Sequence, residues 1–127
     1  VSMEAERTLR IGHLGCGGHS LRNIFTSYAF CPVELMAVCD RDEERAREAA
    51  RKFGAPRQYT DMDEMLDSEE LDALFIVAGY GPEGRPLYPE LTIRALEKGV
   101  HVWIEKPPAA SVSEIEQMAE ASRRAGK

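Results

Sequence analysis

The apolar stretch His101-Val102-Trp103-Ile104 runs straight into Glu105-Lys106-Pro107-Pro108. It reads as a short buried strand that delivers a carboxylate and an ammonium group to a proline-stiffened turn. Open α/β sheets bind ligands at the carboxyl ends of their parallel strands, so a charged turn there is placed for use. A second turn of this kind, Gly15-Cys16-Gly17-Gly18-His19-Ser20, follows the apolar run that contains Ile11 and Leu14. In the pattern G-x-G-x-x-[G/A], the first glycine permits a tight turn and the second lets a pyrophosphate approach the backbone. The third keeps helix and strand close. Gly15 and Gly17 fill the first two places, and Ser20 replaces the third with another small residue. Free N–H groups of the helix that opens through Gly18, His19 and Ser20 then face the phosphates.

Asp40 stands 23 residues beyond Gly17, at the end of the next apolar run. A carboxylate there can accept both hydroxyls of an adenosine ribose. A glycine turn alone can be a mere corner, and Asp40 alone can be a turn or cap residue. The strand before, the helix after and the acid at this distance favour a nucleotide-cofactor site. The charge of Asp40 would repel a 2′-phosphate, which favours NAD. Arg41 can pair with that phosphate or stack on adenine, which keeps NADP as the alternative.

The elements that must hold these residues alternate along the chain. Leu9, Ile11 and Leu14 mark a first strand, and Leu21, Ile24, Phe25 and Tyr28 recur at helical spacing after it. Val33 to Cys39 is a second strand. Asp42 caps the next helix, with Glu43 and Glu44 in its first turn, Arg51 and Lys52 in its last, and Gly54 at its end. Gln58-Tyr59 is a minor strand, followed by a short acidic helix around Met62 to Leu66. Ala73 to Ala78 is a strong strand. Pro89 opens a helix buried through Leu91, Ala95 and Leu96, and Gly99 stops it before the strand at His101. Ser111-Val112-Ser113-Glu114 is a capping box for a last helix ending near Gly126. Strands separated by helices imply right-handed βαβ units. The expected fold is therefore α/β, a doubly wound parallel sheet (Rossmann fold) with strand order 3-2-1-4-5.

Composition narrows the function. A length of 127 residues gives one domain, 1–127, near the small end for an α/β enzyme. The net charge of −6 argues against a nucleic-acid surface, and the run Ala73 to Ala78 is too short to span a bilayer. No signal segment opens the chain, and Val1-Ser2-Met3 reads as an irregular start. Three cysteines, Cys16, Cys31 and Cys39, show no paired metal spacing, so no metal site and a reduced, cytoplasmic setting are expected. Cys16 packs into the turn rather than acting as a reactive thiol. His13, His19 and His101 lie on or beside strands and are expected to be satisfied structural histidines.

Three segments together resemble the Gfo/Idh/MocA family of oxidoreductases. They are Ile11 to Gly18, then Val38-Cys39-Asp40-Arg41, then Ala95 to Pro107, where glycine, His101-Val102 and Glu105-Lys106-Pro107 keep the family's spacing. The resemblance covers nearly the whole chain but only the amino-terminal half of a family member. It implies hydride transfer between a nicotinamide cofactor and a hydroxyl-bearing small molecule. It further implies that Lys106 reaches the substrate hydroxyl to polarise it or relay its proton, that Glu105 orients the site, and that Pro107 fixes the turn through a cis bond. Glu105, Pro107 and Ala78 would also border the cofactor. A sixth strand and a substrate domain are expected to follow in the longer polypeptide. The isolated chain should then bind cofactor without turnover and pair through the exposed edge at His101 to Ile104, giving a homo-oligomer.

The chain also departs from that family. Ala78-Gly79 and Tyr88 stand where members usually have Thr-Pro and a histidine, and the loop Tyr80 to Leu87 is longer than typical. Arg85 in that loop can bind an anion, although a solvated arginine is the plainer reading. These departures leave room for a non-catalytic nucleotide-sensing or interaction module. A methyltransferase would share the glycine turn and the acid, but Glu105-Lys106-Pro107 argues against one.

Overall fold

Strands covered on both faces read as near-continuous apolar runs, and here Ile11-Gly12-His13 and Ala37-Val38-Cys39 are buried at consecutive positions. The computed structural model describes residues 7–127, so the irregular start expected at Val1-Ser2-Met3 lies outside the described residues. The strands are β1 (Leu9–Leu14), β2 (Val33–Cys39), β3 (Arg57–Tyr59), β4 (Ala73–Ile76) and β5 (His101–Ile104), and all pair in parallel. Their order is β3-β2-β1-β4-β5, as expected from the sequence. The chain thus reverses direction across the sheet between β1 and β4, and the switch point opens a crevice at their carboxyl ends.

Side chains from the two faces of the sheet form two layers, and a register shift between β1 and β2 puts Leu35 on the same face as Val38. Ala37, Cys39, Leu74 and Ile76 pack with Met62, Met65 and Leu66 of α2 (Met62–Ser68) and with Tyr88 and Ala95 of α3 (Tyr88–Glu97). On the opposite face, Val38 packs with Phe25 and with Ala49 and Ala50 of α1 (Glu43–Phe53). Truncating a fully buried chain such as Leu74 to alanine would cost about 2–5 kcal/mol. The remaining helix, α4 (Val112–Ala125), lies against α3.

The caps explain where these helices start. The Asp42 side chain accepts the Glu44 and Arg45 N–H groups, and that of Asp61 accepts the Glu64 N–H. Ser111 accepts the Glu114 N–H, while the Glu114 carboxylate reaches back to the Ala110 N–H. Pro89 sits one residue inside α3, which begins at Tyr88.

The segment after β1 differs from an ordinary α-helix. Residues Ser20–Ile24 form a π-helical turn and Phe25–Phe30 a 3-10 helix. Hydroxyls intrude on the backbone here. The Thr26 side chain donates to the Arg22 carbonyl at 3.2 Å, and that of Ser27 donates to the Ile24 carbonyl at 2.6 Å. Such side-chain competition loosens regular α-helical bonding. The apolar face survives, with Ile24 and Phe25 buried.

Candidate functional site

The turn that leaves β1 is built around one glycine. Gly15 has φ +100°, and a Cβ there would lie 1.9 Å from the Val77 carbonyl oxygen, so only glycine fits between the ends of β1 and β4. Its peptide to Cys16 is held from both sides. Ser20, fully buried, donates its hydroxyl to the Gly15 carbonyl at 2.6 Å, and His13 Nε2 lies 2.8 Å from the same oxygen. A carbonyl can only accept, so the imidazole proton sits on Nε2, and Nδ1 accepts from the Tyr28 hydroxyl at 2.7 Å. On the other side, the Cys16 N–H donates to Asp40 Oδ2 at 2.8 Å. Pinning this peptide leaves the next part of the turn to face outward. A Cβ at Gly17 would meet nothing within 4 Å, which keeps the backbone accessible to a diphosphate.

His13 meets the expectation of a satisfied structural histidine. It is completely buried, and desolvation pushes its pKa down from 6.5 to about 4. Burial likewise raises the Cys16 and Cys39 thiols to about 12, so neither is a ready nucleophile at neutral pH. All three cysteines are free thiols.

Asp40 and the glycine turn share one cleft of about 490 Å³, bordered also by Arg41, Ala78, Gly79 and Arg94. Asp40 Oδ1 accepts the Asp42 N–H at 2.8 Å, so each carboxylate oxygen already holds one backbone donor. A carboxylate offers roughly four acceptor sites, which leaves capacity for two ribose hydroxyls. Arg41 is exposed at the rim. Ala78 lines the cleft, but its carbonyl accepts the Tyr88 hydroxyl at 2.9 Å. Burial raises the Tyr88 pKa, so this phenol stays a neutral donor.

The turn after β5 meets the glycine turn directly. His19 Nε2 lies 3.1 Å from Glu105 Oε1, across 86 residues of sequence. The hydrogen bond from His19 is the main reason the Glu105 carboxyl titrates below its ordinary range. His19 is satisfied at both ring nitrogens, as expected, but it stands at the start of the helical segment after β1 and bridges the two turns. Lys106 and Pro107 are exposed, and the peptide between them is cis. Arg85 is paired with Glu114 at the start of α4, which anchors the long loop there.

Sequence reasoning overlooked Asn23 and Tyr28 as parts of the site. Asn23 lies four residues after His19, one helical turn away, and that spacing was its only signal. Arg94 also escaped notice; it borders the cleft while paired with Asp63 and Glu90. Among the described residues, no group of three or more His, Cys, Asp or Glu side chains could hold a metal ion. No described helix is long and apolar enough to cross a membrane.

Known proteins resemble this chain in sequence and fold. The sequence profile of an oxidoreductase family, NAD-binding Rossmann fold, covers residues 9–127. A dTDP-3,4-didehydro-2,6-dideoxy-alpha-D-glucose 3-reductase of Streptomyces violaceoruber is 35% identical over 97% of this chain and 34% of its own length. The WlbA dehydrogenase of Bordetella pertussis, solved with NADH and UDP-GlcNAcA, is 30% identical with a TM-score of 0.81. That match covers 94% of this chain and 35% of the other. Myo-inositol 2-dehydrogenase of Lactobacillus plantarum is 30% identical with a TM-score of 0.73, over 93% of this chain and 34% of its own. The chain spans about a third of the length of the curated relatives it matches. These relatives are named as reductases and dehydrogenases, which gives the non-catalytic alternative no support.

Proposed function

The chain belongs to the Gfo/Idh/MocA oxidoreductase family, and from that premise we propose that it is the dinucleotide-binding part of an enzyme that moves hydride between NAD and a sugar- or polyol-like substrate. The observation that carries the reading is the meeting of the glycine turn and the Glu105-Lys106-Pro107 turn at one end of the sheet, through the 3.1 Å contact of His19 with Glu105. The residues present fit the cofactor. Gly17 keeps its backbone open, Gly18 and His19 begin the helix behind it, and Asp40 retains free acceptor sites. When bound, the nicotinamide supplies the hydride donor or acceptor.

This chain's own groups do the rest. Asp40 takes the ribose hydroxyls and disfavours a 2′-phosphate, which selects NAD over NADP; Arg41 stacks at the rim. Lys106 donates a hydrogen bond from Nζ to the substrate oxygen and holds a proton there as the carbon–oxygen bond changes order. Glu105 orients that turn. The sugar-like substrate class rests on the relatives, one named for a dTDP-sugar and one solved with UDP-GlcNAcA. We place the residues that select the substrate in a further domain of a longer polypeptide, so the 127-residue chain should bind cofactor without turnover. We also infer a homo-oligomer and a cytoplasmic setting. In their support, β5 is an edge strand among the described residues with Trp103 40% exposed, and the thiols are unpaired.

Trp103, the one tryptophan, lies two residues before Glu105 and makes the experiment direct. NADH titrated into the chain should quench Trp103 emission saturably and gain emission of its own, and added NAD should reverse both. Without saturable binding the proposal falls.

A further inference from the structure

The contact between the two turns belongs to a longer chain of polar groups. The Asn23 amide nitrogen lies 3.0 Å from His19 Nδ1. An amide nitrogen has no lone pair to offer, so Nδ1 is the acceptor and the ring proton sits on Nε2. That proton points at Glu105 Oε1, 3.1 Å away, while Glu105 Oε2 accepts the Lys106 backbone N–H at 3.3 Å. The reverse amide orientation would put the proton on Nδ1 and leave a bare nitrogen facing a carboxylate. With a neutral imidazole, each group in the row Asn23, His19, Glu105 and the Lys106 peptide is therefore paired in one sense, and the Nε2 proton is directed at Glu105.

The fold gives this row a task. β4 separates β1 from β5 in the sheet, so the two turns do not pair with each other directly and are related there only through β4. Lys106, Pro107 and Pro108 are exposed and gain little from packing. The Glu105 N–H reaches the Ile76 carbonyl at 3.4 Å, a long bond. His19 sits on the phosphate-binding turn itself, and its one fixed proton sets where the Glu105 carboxylate stands.

We propose that Asn23 and His19 are positioning residues that hold the Glu105 carboxylate, and through it the Lys106 peptide, at a set place beside the phosphate-binding turn. This assignment rests on the reading that Lys106 faces the substrate. His19 and Asn23 are both exposed, so replacing them leaves the core intact.

Glutamine and asparagine separate position from polarity. A glutamine amide reaches about as far as Nε2 and can still donate to Glu105, whereas asparagine reaches only as far as Nδ1. Amide hydrogen exchange at Lys106, read by NMR on the 127-residue chain without ligand, should accelerate about fivefold in His19→Asn, the scale of one ordinary hydrogen bond. Asn23→Leu should act in the same direction, and His19→Gln should restore the original rate. Unchanged exchange in His19→Asn, or exchange in His19→Gln as fast as in His19→Asn, overturns the assignment. Thermal melting of each variant checks that the fold is kept. Cofactor binding by the unaltered chain is scored separately, so a failure of the dinucleotide reading is visible apart from a failure of the positioning row.

Discussion

Replacing Asp40 with asparagine should narrow the preference for NAD over NADP and also loosen the turn. A 2′-phosphate on a ribose held by this carboxylate would place like charges roughly 5 Å apart. At an effective dielectric near 20 the repulsion is about 3 kcal/mol per charge pair, and partial exposure and salt reduce it to about 1–2 kcal/mol. The discrimination against NADP should therefore fall roughly five- to thirtyfold. The same carboxylate accepts the Cys16 and Asp42 N–H groups, both at 2.8 Å. Asparagine has one acceptor oxygen, so one of those donors would face an N–H₂ group. Losing a hydrogen bond to a charged acceptor costs about 1.5–3 kcal/mol, enough to lower the melting temperature by roughly 5–10 °C. NAD affinity should fall as well, because the turn that holds the diphosphate is less firmly set. Calorimetric titration with each cofactor, beside a melting curve, reads both effects, and Asp40→Ser should behave similarly. Equal NAD and NADP affinities in the unaltered protein, or an undiminished gap in the variant, would refute the reasoning.

In the proposed longer polypeptide, Lys106→Ala should reduce turnover by at least about a hundredfold with little change in cofactor affinity, and steady-state kinetics that retain turnover would return Lys106 to an ordinary loop role. His13, buried and neutral, makes stability depend on pH. Its folded-state value near 4 lies below 6.5, so the unfolded chain binds more protons between the two. Stability should be full above about pH 6.5 and fall by about 3 kcal/mol as the pH drops toward 4. Denaturant titrations across that window check the slope, and His13→Gln should flatten it. Sedimentation over a wide concentration range tests pairing through the β5 edge, and a strictly monomeric chain would rule it out.

The sheet was legible because its signals are local. Apolar runs such as Val33 to Cys39, caps such as Asp42 and Ser111, and the prolines and glycines between them fix each element without knowledge of its neighbours. The π-helical and 3-10 turns were not legible, since Leu21, Ile24, Phe25 and Tyr28 suit any helical winding. At the site, the types and spacing of Gly15, Gly17 and Asp40 pointed to a nucleotide. The second duty of Asp40 as backbone acceptor depends on turn geometry that spacing does not encode. His19 and Glu105 lie 86 residues apart, and nothing in either neighbourhood announces the other. Tyr88 could be recognised as a departure, but not as the donor that occupies the Ala78 carbonyl.

The close fit of Gly15 against Val77 also sets the order in which a growing polypeptide can acquire its ligand. Synthesis delivers β1, the glycine turn, β2 and Asp40 first, yet the wall that shapes the turn arrives only with β4 and the residue that follows it. The Val77 N–H donates to the Leu14 carbonyl at 2.8 Å, closing the crevice across about sixty residues of chain. Glu105 comes later still. A nascent chain that exposes only the first three strands therefore carries the recognition residues without a formed crevice. Ligand stabilises only the state that binds it, so dinucleotide cannot rescue that early intermediate. During translation the cofactor acts as a late lock on a sheet that already holds β4, and the β1–β2–β3 half must stay soluble by its own packing until β4 docks.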